Sequence, residues 1–466
     1  MKRTAVLNVV GLTQRHIGPD TPAISRFQSL GQTTTIDPAF PAVTCTAQSN
    51  YLTGKRPCDH GIVGNGWYNY ELAEVNFWKQ PNQTVQSPKL WDDPHLNKDV
   101  FTCATMFWWF NMYANVDWSV TPRPTYPADG SKHFDIYTWP YELRPALKAE
   151  LGEFPFPAFW GPMAGQQSPA GKPEAVSEWI ANAAKWVEQH RQPTLNLVYL
   201  PHLDYNLQRL GPDHPETTDD LRRIDRIVGD LINFFEKQDV QVVLLSEYGI
   251  TPVNQPIHIN RLFRERGWLA IKEELGLERL DCGNSRAFAV ADHQVAHIYI
   301  NDKLIEKEVH SLLEQTDGIA AIWGQAEKHA NGIEHDRAGD FIAISVENAW
   351  FSYYYWLNDA VAPDFARCVD IHRKPGYDPV ELFKDPSRGS TPRVMLKLLQ
   401  KKLGFRMLMD VIPLDATLVK GSHGCRPSKH ADWPILISKS NLISSENPID
   451  STEVYGLLRS HLIECS

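Results

Sequence analysis

Short apolar runs alternate with longer amphipathic stretches along this chain. TAVLNVVGL at 4–12, LNLVYL at 195–200 and QVVLLS at 241–246 are compact runs rich in branched aliphatic residues, and the last two end in polar loops. Runs of this length and composition predict strands buried on both faces. Between the second and third lies PETTDDLRRIDRIVGDLINFFEKQ, in which Leu221, Ile224, Val228, Leu231, Ile232 and Phe235 recur at helical spacing. Its acidic start suits the positive end of a helix dipole, and Thr217 with Asp220 resembles a capping box. A further amphipathic helix is predicted at 175–190, AVSEWIANAAKWVEQH, just before LNLVYL. Strand, helix, strand at this spacing predicts parallel βαβ units. The expected fold class is therefore α/β, with a mainly parallel central sheet flanked by helices. Ligands of such sheets sit beyond the carboxyl ends of the strands. That selects the loop after Leu12, the segment around Thr44, the loop after Leu200 and the loop after Ser246.

Pro and Gly cluster at 152–173, which predicts a long surface loop or lid. The stretch 256–335 has its own strand pattern, QVAHIYIN at 294–301, and its own helix, EKEVHSLLEQ at 306–315. It is expected to be an inserted cap, with 1–255 and 336–466 forming the core. A chain of 466 residues that is 42% hydrophobic can bury both. Two dense aromatic clusters, Trp108–Tyr113 and Trp350–Trp356, are expected to be core or pocket wall.

A net charge of -10 argues against a nucleic-acid polymer or an anionic membrane as the main partner. It leaves a small anionic or phosphorylated substrate open, because a pocket's field differs from the net charge. No stretch approaches the roughly 18 apolar residues of a membrane span. The apolar run at 5–12 is interrupted by Asn8 and too short for a signal segment, so the expected location is cytoplasmic. The 7 cysteines are odd in number, widely spaced and without a CxxC, which argues against a disulfide framework or a cysteine-rich zinc site. Oligomeric state is not legible.

Candidate chemistry starts at FPAVTCTAQSNYLTGKRPCDHGIVGN, residues 40–65. A hydroxyl at a strand-to-helix turn is well placed to attack phosphorus, since the helix N-terminus favours an alkoxide and phosphoryl oxygens. LDYNLQRLGP (203–212), SEYG (246–249) and GSHG (421–424) follow in order. Together these segments resemble the alkaline phosphatase superfamily, in its nucleotide pyrophosphatase/phosphodiesterase branch. The first matches FP-x-x-T…TG-x-x-P-x-x-HGI-x-x-N without a gap. NVVGL (8–12) resembles the first-strand motif, LDYNLQRLGP resembles D-x-x-x-H-x-x-GP, SEYG stands where the family has SDHG, and AGDFIAISVENAWF (338–351) resembles the segment ahead of the last histidine.

The resemblance implies an alkaline phosphatase-like core and a hydrolase of phosphoric esters or anhydrides. It implies a threonine nucleophile, a phosphothreonine intermediate and one or two divalent metal ions: zinc by family, with magnesium or manganese open. Thr44 fits the nucleophile and Asn65 the phosphate-holding asparagine. Asp204 and His423 fit metal ligands. Gln208 replaces a family histidine, Glu247 an aspartate and Tyr248 a histidine. Val10 falls where the family has its first-strand aspartate, with Asn8 on the same strand face. His202, His258, His293, His297 and His372 are candidates to compensate. Arg123, Arg373 and Lys374 are candidate clamps for an anionic substrate, against the alternative of surface ion pairs. Asp292-His293 reads as either an acid–base dyad or a turn, and Cys45 is an alternative nucleophile. The ligand exchanges keep two other classes open: a transferase, isomerase or non-phosphate hydrolase on this fold, and a non-catalytic binding protein.

Overall fold

The computed structural model describes residues 1–96, 99–166, 175–389, 391–405, 407–441, 443 and 448–463. The first seven main-sheet strands are β1 (Thr4–Val9), β2 (Gln32–Asp37), β3 (Cys103–Met106), β4 (Trp118–Pro122), β5 (Ile136–Trp139), β6 (Leu195–Leu200) and β7 (Gln241–Leu245). A second sheet follows, made of β8 (Ala287–Asp292), β9 (Val295–Ile300), β10 (Ile319–Trp323) and β11 (Phe341–Ser345). The chain then returns to the main sheet with β12 (Ile435–Ser438) and β13 (Ile449–Asp450).

The main sheet has the order β13–β2–β12–β7–β1–β6–β3–β4–β5. Its centre, from β7 to β4, is parallel, and antiparallel pairs attach β5 and β12. Every residue of β1 and β6 is buried, as expected of strands covered on both faces. The covering helices include α1 (Thr44–Thr53), α2 (Ala175–Arg191), α3 (His202–Leu210) and α4 (Thr217–Lys237). The predicted βαβ unit is therefore present: β6 and β7 both pair in parallel with β1, and α4 lies between them in the chain. The predicted capping box is not. Glu216 is the N-cap of α4, and the Thr217 hydroxyl donates to the His214 carbonyl at 2.6 Å, one residue too far into the helix to cap it.

The second sheet is antiparallel, in the order β8–β9–β11–β10. β10 and β11 pair with each other, so the expected cap boundary at 335 falls inside a sheet. The physical reason is that β11 supplies the apolar face that β9 and β10 need, and local pattern gives no sign of where pairing stops. Trp350, Tyr353, Tyr354 and Trp356 fill the core beneath this sheet. Of the predicted lid, residues 167–173 lie outside the described residues; Phe159 and Trp160 in its first half reach the cleft described below. Among the described residues no helix is long and apolar enough to cross a membrane.

Candidate functional site

The carboxyl ends of β1, β6 and β7 lie side by side, because Asn8 is in register with both Tyr199 and Leu245. The Thr44 helix abuts this edge. All ten residues of α1 are buried although most are polar. Burial without partners would be costly, and the polar groups are indeed paired: Ser49 donates to the Cys45 carbonyl, Thr53 to the Ser49 carbonyl and Tyr51 to the Ser246 carbonyl. The N-cap is Val43, which has no side-chain acceptor, and Asn65 supplies one from outside the helix: its Oδ1 accepts from the Cys45 backbone amide at 3.1 Å. Thr44 is its first residue and lines the cleft.

Two buried carboxyl groups stand behind Thr44. Asp204 on α3 accepts at Oδ1 from the Tyr248 hydroxyl (3.1 Å) and at Oδ2 from the Gln208 amide (2.9 Å). Gln208 in turn accepts from the Tyr377 hydroxyl at 3.0 Å. Glu247, in the loop after β7, accepts at Oε1 from Asn8 (2.5 Å) and Gln48 (2.6 Å), and Gln48 accepts from the Trp109 amide (2.6 Å). Burial is the largest influence on both acids and outweighs these bonds, pushing each up to about 7. The Thr44 hydroxyl lies 3.3 Å from that of Tyr248, so Thr44, Tyr248 and Asp204 form one chain of hydrogen-bonding groups.

The loop bearing Glu247 and Tyr248 is held by close backbone contact. A Cβ at Gly249 would stand 1.8 Å from the Asp432 carbonyl oxygen. Gly249→Ala is expected to destabilise the protein by about 2–3 kcal/mol, the cost of overpacking against rigid backbone. Urea unfolding measures this, and an unchanged midpoint would contradict it.

One wall of the cleft is a column of rings. Tyr248 stacks on His423 (centroids 3.6 Å), His423 contacts His293 (3.8 Å), and His293 stacks on Tyr377 (3.5 Å). His423 Nδ1 bonds the Ala42 carbonyl at 2.7 Å, which makes it the protonated nitrogen; Nε2 is buried without a hydrogen-bond partner, 3.9 Å from Asp204 Oδ1. Burial holds both histidines well below their ordinary range, so they are neutral. His293 occupies the left-handed region, with φ 62°, at the β8–β9 turn. Such strain in a non-glycine residue persists only where surrounding contacts fix it. Here Asp292 Oδ1 bonds His293 Nδ1 at 2.8 Å, and Asp292 also accepts from the Asn65 backbone (2.7 Å) and side-chain (3.1 Å) amides. Burial leads in lifting the Asp292 carboxyl to about 6. The outer walls are aromatic: Trp78, Trp109, Phe159 and Trp160. The cleft, its aromatic walls included, encloses about 60 Å³ of open space, so the bulk of any ligand larger than a phosphoryl group extends beyond it.

The structure thus brings together Thr44, Asn65, Asp204, Gln208, Glu247, Tyr248 and His423. It does not bring the expected clamps to the cleft. Lys374 is buried and paired with Asp378 (2.7 Å) and Glu381 (2.6 Å), Arg373 is an exposed partner of Asp370, and Arg123 is exposed outside the lining. The Lys374–Asp378 spacing of four was the signal of internal pairing. Of the compensating histidines only His293 reaches the cleft. His202 pairs with Asp220, His258 with Ser352, and His297 and His372 bond the carbonyls of Val63 and Phe77. Val10 is apolar core, while Asn8 faces the site. Gln48, Tyr199 and Tyr377 carried no recognisable motif.

The donor set does not fit a pair of divalent ions. Amide and phenol protons from Gln208, Tyr248, Asn8 and Gln48 point at both Asp204 oxygens and at Glu247 Oε1, and within this set only Glu247 Oε2, Asn8 Oδ1 and His423 Nε2 are buried acceptors without a partner, too few to ligate two ions. The Tyr248 phenol is itself raised well above its ordinary range, chiefly by burial, and so supplies no phenolate. Among the described residues no three His, Cys, Asp or Glu side chains form a group able to hold a metal.

Known proteins resemble the chain in sequence and in fold. An uncharacterized pyrophosphatase/phosphodiesterase of Schizosaccharomyces pombe is 25% identical over 237 residues, 48% of this chain and 40% of that protein's own length. Two solved structures share the fold over 99% of this chain. Murine ectonucleotide pyrophosphatase/phosphodiesterase 5, an inactive form in complex with AMP, is 13% identical with a TM-score of 0.59 over 95% of its chain. Phosphonoacetate hydrolase of Sinorhizobium meliloti, in complex with phosphonoacetate, is 14% identical with a TM-score of 0.61 over 96% of its chain. The model of the type I phosphodiesterase/nucleotide pyrophosphatase family matches residues 4–378, and the chain belongs to that family.

Proposed function

We propose that the protein hydrolyses phosphoric esters with Thr44 as nucleophile, through a phosphothreonine intermediate. The observation that carries this reading is the position of the Thr44 hydroxyl: first residue of a helix, lining the cleft, at the head of the chain Thr44–Tyr248–Asp204. Thr44 Oγ1 forms a bond to phosphorus as the bond to the leaving oxygen breaks. The hydroxyl proton passes to the Tyr248 oxygen while the Tyr248 proton passes to Asp204 Oδ1. The leaving oxygen departs with the electron pair and takes a proton from water at the aromatic mouth. Water then attacks phosphorus as the bond to Thr44 Oγ1 breaks and gives its proton to the hydroxide left at the mouth, while the proton on Asp204 returns through Tyr248 to Thr44 Oγ1. The positive end of α1, with Asn65 beside it, favours the phosphoryl oxygens throughout. No step is routed through a metal ion, because the donors are committed as described. The second sheet, read here as an inserted cap, contributes Asp292 and His293 to the cleft.

Small phosphorus-containing anions in the two structural relatives, AMP and phosphonoacetate, support a small phosphorylated substrate. The lining narrows the class. It carries no Lys or Arg among the described residues, and two buried acids stand behind it. A dianionic monoester would meet no compensating charge there, whereas a monoanionic diester with an aromatic or apolar arm fits the tryptophan walls. Bis(4-nitrophenyl) phosphate is therefore expected to turn over at least about tenfold faster than 4-nitrophenyl phosphate, a difference of about 1.4 kcal/mol in transition-state binding. The rates should be equal in EDTA and in added zinc, magnesium or manganese. A preference for the monoester would sink the substrate assignment. Activity only with added metal would sink the metal-free proton path.

A further inference from the structure

Helices of globular proteins turn their apolar stripe inward. The helix α5 (Thr391–Lys402) does the reverse. Met395, Leu396, Leu398 and Leu399 are each more than half exposed, and Leu403 and Phe405 beyond its end are 64% exposed. Its cations outnumber their partner: Arg393 and Lys397, together with Arg388, converge on the one carboxylate of Asp410 at 3.1, 2.5 and 3.1 Å, and the Arg388 and Arg393 side chains stay 37% and 41% exposed. No acidic residue occurs between Asp385 and Asp410, and Lys402 adds an exposed cation beside the leucines. A chain of net charge -10 thus carries a locally positive, strongly apolar patch. Contiguous exposed apolar surface of this kind marks an interaction site.

Charge decides what covers it. A second copy docked on the same patch across a two-fold axis would set two excess-positive clusters face to face. An anionic bilayer is complementary on both counts: leucine and phenylalanine side chains enter the headgroup–acyl boundary while the cations meet lipid phosphates and carboxylates. We propose that α5, with Leu403 and Phe405, is a membrane-surface anchor for anionic lipid bilayers, lying in the interface plane without crossing it.

The test is vesicle flotation of the full chain. Partition is expected to be at least about tenfold stronger on phosphatidylcholine vesicles containing about 30% phosphatidylserine than on phosphatidylcholine alone. It should fall about tenfold in Leu396→Glu/Leu399→Glu and on raising salt to about 0.5 M, where charges are screened within a few ångströms. Lys402→Glu, a single surface charge reversal, should weaken it about threefold, since each cation near an anionic surface adds a modest increment. Circular dichroism and thermal midpoint establish that the variants fold. No partition onto the charged vesicles overturns the proposal, as does partition unchanged in both variants. Self-association abolished by Leu396→Glu/Leu399→Glu, with no vesicle binding, would assign the patch to a second copy instead.

Discussion

Thr44→Ala is expected to lower kcat/KM on a phosphodiester by about 10³-fold or more, about 4 kcal/mol of transition-state stabilisation. The substitution removes the one protein atom that bonds to phosphorus in the proposed path, and it leaves the helix intact. Position 44 is the first residue of α1, where alanine is tolerated, and the Val43 cap does not depend on it. The variant should therefore unfold at nearly the wild-type temperature, which separates lost chemistry from lost fold. Thr44→Ser keeps the nucleophilic oxygen and should retain most of the turnover. Acid quenching during steady-state turnover, followed by peptide mass spectrometry, should find the phosphoryl group, still carrying the substrate's second ester, on the 44–53 helix in the wild type and in Thr44→Ser. Equal rates for wild type and Thr44→Ala would remove Thr44 from the chemistry and with it the intermediate. They would turn attention to Cys45, whose thiol burial has already pushed far up, making it a poor nucleophile.

Glu247→Gln is expected to stabilise the protein at alkaline pH. The native state keeps a proton on Glu247 up to about pH 7, while the unfolded chain releases it near 4.5. Between those values the native state binds more protons than the unfolded state, so stability falls as pH rises. Over roughly two and a half pH units the loss is about 3 kcal/mol, a large share of a typical net stability of about 5–15 kcal/mol. Asp204, lifted from 3.8 to about 7, acts with the same sign. Glutamine at 247 keeps an Oε1 acceptor for Asn8 and Gln48 and removes the ionisation. The wild-type thermal midpoint should drop between pH 5.5 and 8, and the variant should drop distinctly less. Identical pH slopes would mean that Glu247 is already ionised in the native protein, as a bound cation would make it, and would reopen the metal centre.

The three central strands and the helix α4 are legible because their signals are local. An apolar run of about six residues bounded by polar loops, or an apolar stripe at helical spacing, needs no knowledge of the partner. The Thr44 segment was legible for a different reason. A hydroxyl-rich turn flanked by Phe40-Pro41 and by the His60-Gly61-Ile62 step is specific enough to match a family without a structure. The helix α5 drew no notice at all, because its pattern of leucines is that of any amphipathic helix; only its inverted orientation makes it unusual.

The candidate site divides along the same line. From sequence, Lys374 and Arg373 are cations near glycine and proline, open to either a ligand or an internal partner. The fold commits Lys374 to Asp378 and Glu381. The metal question is sharper still. Sequence showed which ligands had been exchanged, at Gln208, Glu247 and Tyr248, and left open what the exchange produced. The structure shows amides and a phenol closing around the two acids: Asn8 and Gln48 on Glu247, Tyr248 and Gln208 on Asp204.

What the sequence by itself determined is the α/β class, the three strands that build the carboxyl edge, and the nucleophile candidate at a helix start. These follow from hydrophobic period, loop chemistry and one dense motif, all written over short spans of chain. What only the tertiary structure decided is which groups meet. Asn8 and Glu247 are 239 positions apart, Gln208 and Tyr377 are 169, and His423 joins Asp292-His293 from another sheet. Hydrogen bonds reach about 3 Å and carry no trace along the backbone between their ends, so neither the upward shift of the acids nor the aromatic lining, free of Lys and Arg among the described residues, could be read before the chain was folded.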